Sequence, residues 1–171
     1  VVVGEGEKAM LEIAHGNREK IIRCELVKNL DEIPFPDRDL IKNERTVALT
    51  ERNDGERITS LLGSRGCSFN CIMCADGATK ILWGRNVSGA VRRRSPRSIL
   101  QEMMEIYKKY RLDFIKFADP TFNNNLEHVK AFCRNKKDLG FEAEWGANIH
   151  AKVVDREMFE LMKQANCREI W

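Results

Sequence analysis

Three cysteines in this chain stand close enough together to share one chemical task. Cys67, Cys71 and Cys74 lie in the run Gly66-Cys67-Ser68-Phe69-Asn70-Cys71-Ile72-Met73-Cys74, a CxxxCxxC spacing. So compact a loop can aim three thiolates at one centre. Three thiolates on a four-iron, four-sulfur cluster leave one iron without a protein ligand, and that open position can take a substrate or cofactor. Gly63 and Gly66 let the chain bend tightly around an inorganic core. A structural zinc site wants four ligands, commonly from two pairs of Cys or His, and no second pair is present. His15 and His128 are not obvious fourth ligands, whereas His150, at a strand end, could approach the loop. A simple redox thiol needs fewer cysteines than this. The remaining three, Cys24, Cys133 and Cys167, are scattered, and for Cys133 and Cys167 the plain expectation is a buried thiol.

The elements that would carry this loop alternate between strand and helix. Ile58 to Leu62 reads as a buried strand running into Gly63-Ser64-Arg65-Gly66 and the cysteines. Ser95-Pro96 opens a helix, Ser as N-cap and Pro at the first helical position, with Ile99, Met103, Ile106, Tyr107 and Tyr110 at helical spacing. Phe114 to Phe117 is the next strand and ends in Ala118-Asp119-Pro120. Asn123-Asn124-Asn125 caps a helix with Leu126, Val129, Phe132 and Cys133 on one face. Glu144 to Ile149 is a third strand, Asp155 caps a third helix, and a fourth strand starts near Arg168. Strands separated by single helices must run parallel, as a barrel or as an open sheet. The reactive site then belongs at the C-terminal strand ends, where the cysteines, Asp119 and His150 all fall.

Ahead of this series, Val1 to Val3 reads as a buried strand, followed by a Gly4-Glu5-Gly6-Glu7 turn and a helix carrying Met10, Leu11, Ile13 and Ala14 that stops at Gly16. From Asn17 to about Asp54 there is little periodicity, and Pro34-Phe35-Pro36 favours an extended connector. The chain begins and ends on apolar strands, which reads as a piece of a larger enzyme. Hydrophobic residues at 43% and charged residues at 32% describe a globular chain. A net charge of +3 makes no case for nucleic acid, and no apolar run approaches a membrane span or a secretory signal. A cytoplasmic setting is the default expectation.

At these residues the chain resembles the radical S-adenosylmethionine (radical SAM) enzymes, whose signature is CxxxCxxC after the first strand of a partial barrel. The resemblance implies an α/β fold: the first half of a partial TIM-like (β/α) barrel over 55–171, truncated. It implies the last strand and helix of a Rossmann-like cobalamin-binding domain over 1–16 and a connector over 17–54. The cobalamin subgroup is suggested by Val2-Val3-Gly4-Glu5-Gly6-Glu7, Leu30 to Arg38, Trp83-Gly84-Arg85, Arg92 to Pro96, and Asp119-Pro120-Thr121-Phe122.

By the same resemblance, Cys67, Cys71 and Cys74 would hold a four-iron, four-sulfur cluster. S-adenosylmethionine would chelate its open iron and be cleaved reductively to a 5′-deoxyadenosyl radical that takes hydrogen from a small-molecule substrate. An external donor of the flavodoxin or ferredoxin kind would supply the electron. Phe69, Met73, Asp119, Asn148 and His150 would contact S-adenosylmethionine, and Gly4, Glu5 and Gly6 would lie near cobalamin. Met73 stands where the family often has an aromatic residue, Asp119 where it often has a Gly-Gly-Glu segment, and His150 where arginine is more usual. Methyl transfer from methylcobalamin is one outcome among relatives. A cobalamin-free enzyme of the methylthiotransferase kind is the alternative within the superfamily, and a zinc-stabilised binding module is the alternative outside it. The arginines from Arg85 to Arg97 invite a phosphate or carboxylate partner, but the modest overall charge favours the plainer reading of a solvated loop with packing arginines.

Overall fold

A computed structural model describes residues 1–75 and 91–171. Part of the arginine-bearing stretch, with Trp83, Gly84 and Arg85, lies outside the described residues. The main body is a four-stranded, all-parallel sheet in the order β3-β6-β7-β8, formed by β3 (Ile58–Leu61), β6 (Phe114–Phe117), β7 (Glu144–Ala147) and β8 (Cys167–Ile170). Helices α3 (Pro96–Tyr110), α4 (Leu126–Asp138) and α5 (Arg156–Gln164) connect successive strands. Their starts are fixed by local chemistry: the side chains of Ser95, Asn125 and Asp155 accept from the backbone N–H of Ser98, His128 and Met158.

One face of the sheet is sealed by these helices. Leu61, Ile115, Phe117, Trp145 and Ala147 point into a core with Ile99, Met103, Val129, Phe132, Met158 and Met162, all essentially without solvent contact. Each of the larger of these side chains contributes on the order of 1.5–3 kcal/mol by leaving water. Phe117, Phe122, Phe132 and Trp145 form an aromatic cluster with centroids 4.5–5.7 Å apart, several of them edge to face, the arrangement that aromatic quadrupoles favour. The Trp145 indole N–H is satisfied by the Ala165 carbonyl at 2.7 Å.

The opposite face is more open, with Ser60, Lys116 and Ala118 exposed. Near β8, Trp171 closes over it. Gly146 is required there, because a Cβ would lie 2.7 Å from the Phe114 ring and 2.8 Å from the Glu169 carbonyl.

The region from Asn17 to Asp54 is more regular than its sequence predicts. Strand β2 (Ile22–Arg23) pairs in parallel with β1 (Val2–Val3), and α2 (Asn43–Asp54) packs on β3. The α2 sequence is largely polar, so its apolar period is faint; only Asn43 and Val47 are buried. Polar clasps complete its docking: the Thr59 hydroxyl donates to Asn43 Oδ1 at 3.1 Å, and Ile58 N donates to Thr50 Oγ1 at 3.0 Å. The connector Leu30 to Pro36 holds a single 3-10 turn, Leu30–Glu32, before it extends. The expectation of a buried first strand is corrected: Val1, Val2 and Val3 are all exposed, and so are Met10 and Leu11 of α1 (Gly6–Ala14). Among the described residues, no helix is long and apolar enough to cross a membrane.

Candidate functional site

The C-terminal ends of β3, β6 and β7 converge on the root of the cysteine loop. After β3 the chain turns at Gly63 and forms β4 (Ser64–Arg65), paired antiparallel with β5 (Arg92–Arg93). Asp119, just past β6, is almost fully buried and accepts from Gly63 N at 2.9 Å and from the Ser64 hydroxyl in a short contact. Burial pushes its carboxyl pKa up, against the opposing pull of the Ser64 and Gly63 hydrogen bonds. Both oxygens are therefore engaged in holding the loop root to β6. From β7, Asn148 Nδ2 donates to the Asp119 carbonyl at 3.1 Å, and the Asn148 carbonyl accepts from Phe122 N at 2.8 Å.

Cys67 is buried at this root, its Sγ 3.3 Å from the Thr121 hydroxyl. Asn124 clasps the next residue: its Oδ1 accepts from Ser68 Oγ at 2.7 Å and from Ser68 N at 3.3 Å. Phe69 stacks face to face on His150, with centroids 3.5 Å apart and planes 8° from parallel. The loop thus touches β6 and β7 through three separate side-chain links. Its far end is different. Cys71 and Cys74 are exposed, joined by a turn in which Cys74 N donates to the Cys71 carbonyl at 3.0 Å. Ile72 and Met73 at the tip are 98% and 95% exposed, so Met73 touches no part of the strand ends. Among the described residues, no group of three or more His, Cys, Asp and Glu side chains is gathered as a metal ion requires.

The donor set still suits an iron–sulfur centre better than a hard cation: it offers three thiols and no carboxylate within the loop. Cys67 sits at the strand ends, and the other two thiols are on the same short loop. The remaining cysteines behave as packed thiols. Burial pushes Cys133 and Cys167 up to about 12, far from thiolate chemistry at neutral pH. His128 is occupied by the Arg94 carbonyl at 2.8 Å, and burial lowers its pKa.

The N-terminal turn is tied to this site by charge. Glu5 receives both Arg92 guanidinium nitrogens at 2.8 Å, Arg65 at 2.9 Å and Val27 N at 2.6 Å. Burial alone would raise its pKa; hydrogen bonds from Arg92, Val27 and Arg65 outweigh it and hold Glu5 at about 2. Arg65 also pairs with Glu7. Gly4 sits at φ +116°, and a Cβ there would come within 2.1 Å of the Cys24 carbonyl, so this turn requires glycine for close backbone approach. Gly6 opens α1 with open space around it. Arg94 pairs with buried Glu102, as does Arg38. Arg92 and Arg94 are thus packing arginines, consumed by internal carboxylates.

Of the cysteine-loop and strand-end residues singled out in the sequence, Cys67, Phe69, Asp119, Asn148 and His150 lie in one strand-end cluster, whereas Cys71, Met73 and Cys74 stand exposed away from it. Sequence reasoning missed Thr121, Asn124 and above all Asn123. Asn123 is fully buried; it accepts from His150 N at 2.8 Å and donates to the carbonyls of His150 and Val153. Of the three asparagines read as helix caps, only Asn125 caps α4. The signal available was a run of polar residues directly after a buried strand, a place where loops carry function.

The parallel α/β fold has solved counterparts. It resembles the radical S-adenosylmethionine methyltransferase TsrM from Kitasatospora setae, solved with cobalamin and a four-iron, four-sulfur cluster. The TM-score is 0.56 at 17% identity over 81% of this chain and 23% of that one. A second TsrM structure, with tryptophan substrate and an S-adenosylmethionine analogue, gives 0.53 at 18% identity over 66% of this chain and 21% of that one.

Two curated relatives match in sequence. One is named an uncharacterized methyltransferase of Pyrococcus horikoshii, 26% identical over 146 residues. The other is the cytidylyl-2-hydroxyethylphosphonate methyltransferase of Streptomyces wedmorensis, 25% identical over 145 residues. These matches take in 85% and 82% of this chain but only 29% and 26% of the relatives' lengths. No family model matches the chain. The sequence relatives are thus named methyltransferases, and the fold resembles that of a solved methyltransferase.

Proposed function

We propose that this chain is part of a radical S-adenosylmethionine enzyme of the cobalamin-associated kind and that the whole protein is a methyltransferase acting on a small molecule. The observation that carries this reading is the CxxxCxxC loop rooted by Cys67 at the C-terminal ends of parallel strands. The likeness to methyltransferases in sequence supports the reaction class. In this reading residues 55–171 form the first half of a partial (β/α) barrel. Residues 1–16 end a Rossmann-like cobalamin-binding domain, with Gly4, Glu5 and Gly6 on its side of the junction.

Cys67, Cys71 and Cys74 would hold a four-iron, four-sulfur cluster. Such a cluster would supply the one-electron reduction that cleaves the sulfonium of S-adenosylmethionine, with the electron coming from an external donor. The chain's own residues do the positioning. Asp119 and Ser64 fix the loop root; Asn124 holds Ser68; Asn123 fixes the backbone of His150, which orients Phe69 by stacking. Phe69, His150, Asn148 and Met73 are the side chains available to line the cofactor. Asp119 acts mainly through the loop it holds, because its oxygens are already engaged.

The test is anaerobic reconstitution of the protein with iron and sulfide, then electron paramagnetic resonance of the reduced sample with and without S-adenosylmethionine. A reduced-cluster signal that changes on adding S-adenosylmethionine is the expected result. Tightly held zinc and no cluster would refute the reading in favour of a zinc-stabilised module. Cobalamin retained by the full protein separates the methyltransferase reading from a cobalamin-free enzyme of the methylthiotransferase kind.

A further inference from the structure

Thr121 faces the one buried cysteine of the loop. Its backbone is held from both sides: Asn124 Nδ2 donates to the Thr121 carbonyl at 2.6 Å, and Phe122 N donates to the Asn148 carbonyl at 2.8 Å. Its side chain is buried, at 5% exposure, with the hydroxyl 3.3 Å from the Cys67 sulfur, itself 8% exposed. A hydroxyl has one proton to give, and a metal-bound thiolate has none, so in the loaded site only Thr121 can donate. Water cannot readily replace it at so buried a position.

Resting on the function proposed above, we infer that the Thr121 hydroxyl donates to Cys67 Sγ and sets the reduction potential of the cluster held through that sulfur. A hydrogen bond to a ligating sulfur withdraws electron density and favours the more negative, reduced form, which raises the potential. The redox step concerned is the gain of one electron, with no bond made or broken in the protein. Thr121 touches a ligand rather than the reacting atoms, so it is a positioning and tuning residue.

The experiment uses the full protein, reconstituted anaerobically and titrated with dithionite in the presence of redox mediators while the reduced-cluster signal is followed. Thr121→Val keeps the branched shape and deletes the hydroxyl. At a fixed solution potential it should shift the oxidised-to-reduced ratio roughly tenfold towards oxidised, a midpoint about 59 mV lower for a one-electron couple. Thr121→Ser, which restores the hydroxyl, should return the midpoint most of the way. Where valine prevents assembly, Thr121→Ala carries the same expectation. A valine or alanine variant with full iron and sulfide and the wild-type midpoint would overturn the inference and leave the proposed function standing. A wild-type protein that takes up no iron and sulfide would overturn both.

Discussion

Replacing Glu5 by glutamine would remove one charge from the contact that joins the N-terminal turn to the ribbon leading into Cys67. The magnitude follows from the site. The carboxyl pKa is held at about 2 against an ordinary 4.5, and the drop of about 2.5 units corresponds to ~3 kcal/mol at 1.36 kcal/mol per unit. The Glu5 side chain is 9% exposed but that of Arg65 is 32% exposed, so solvent screens part of the interaction. About 2 kcal/mol is therefore expected at pH 7.

The pH dependence has a definite sign. Because the folded pKa lies below the unfolded one, the stabilisation is complete above 4.5 and disappears as pH falls through 2. Urea unfolding followed by circular dichroism would measure the penalty of Glu5→Gln across pH. It should be near its full value at pH 7 and about half that or less by pH 3. A penalty equal at both values would refute the reasoning, since a shape or packing defect has no reason to titrate.

Three further outcomes are expected. Asn123→Ala leaves a buried N–H and two carbonyls without partners and should cost roughly 2–4 kcal/mol by urea unfolding, at about 1 kcal/mol or more for each lost bond; a cost below about 0.5 kcal/mol would contradict the role assigned to it. Asp119→Asn should gain on wild type as pH rises, because an acid with a raised folded pKa stabilises below its unfolded value of 3.8 and loses that contribution at higher pH; parallel stability–pH curves for the two proteins would count against it. Gly4→Ala places a methyl against the Cys24 carbonyl at a positive φ, so thermal unfolding should show a loss on the order of 1–3 kcal/mol.

The parts legible in the sequence were those where one local rule acted alone. Ser95, the run Asn123-Asn124-Asn125 and Asp155 each declare a helix start, and the segments opening at Ile58, Phe114 and Glu144 each declare a strand beneath a helix layer. Helix α2 was hidden because one apolar anchor, Val47, and two hydroxyl–amide clasps replace the usual apolar stripe. Strand β2 was hidden because two residues make no period. At the site, spacing located the thiols, but only tertiary structure could show Glu5 bound to Arg92, which lies 87 positions along the chain. Asn123 looked like its neighbours for the same reason: its amide is read by the loop after β7, not by the helix beside it.

The division of the cysteine loop into a fixed root and an open tip has a mechanistic consequence. Ligand thiolates held together without their metal would repel one another and pay for desolvation together, so a fully preformed three-thiolate nest is costly. Here only Cys67 is buried, with a hydroxyl beside it, while Cys71 and Cys74 stay exposed. In the proposed reading, binding iron and sulfide supplies the free energy that draws the tip inward. The apolar side chains of Ile72 and Met73, now almost wholly in water, can lose solvent contact in the same movement. Asp119, Asn124 and the Phe69–His150 stack tie the root to the strand ends, so in that reading the tip would move toward the ends of β6 and β7.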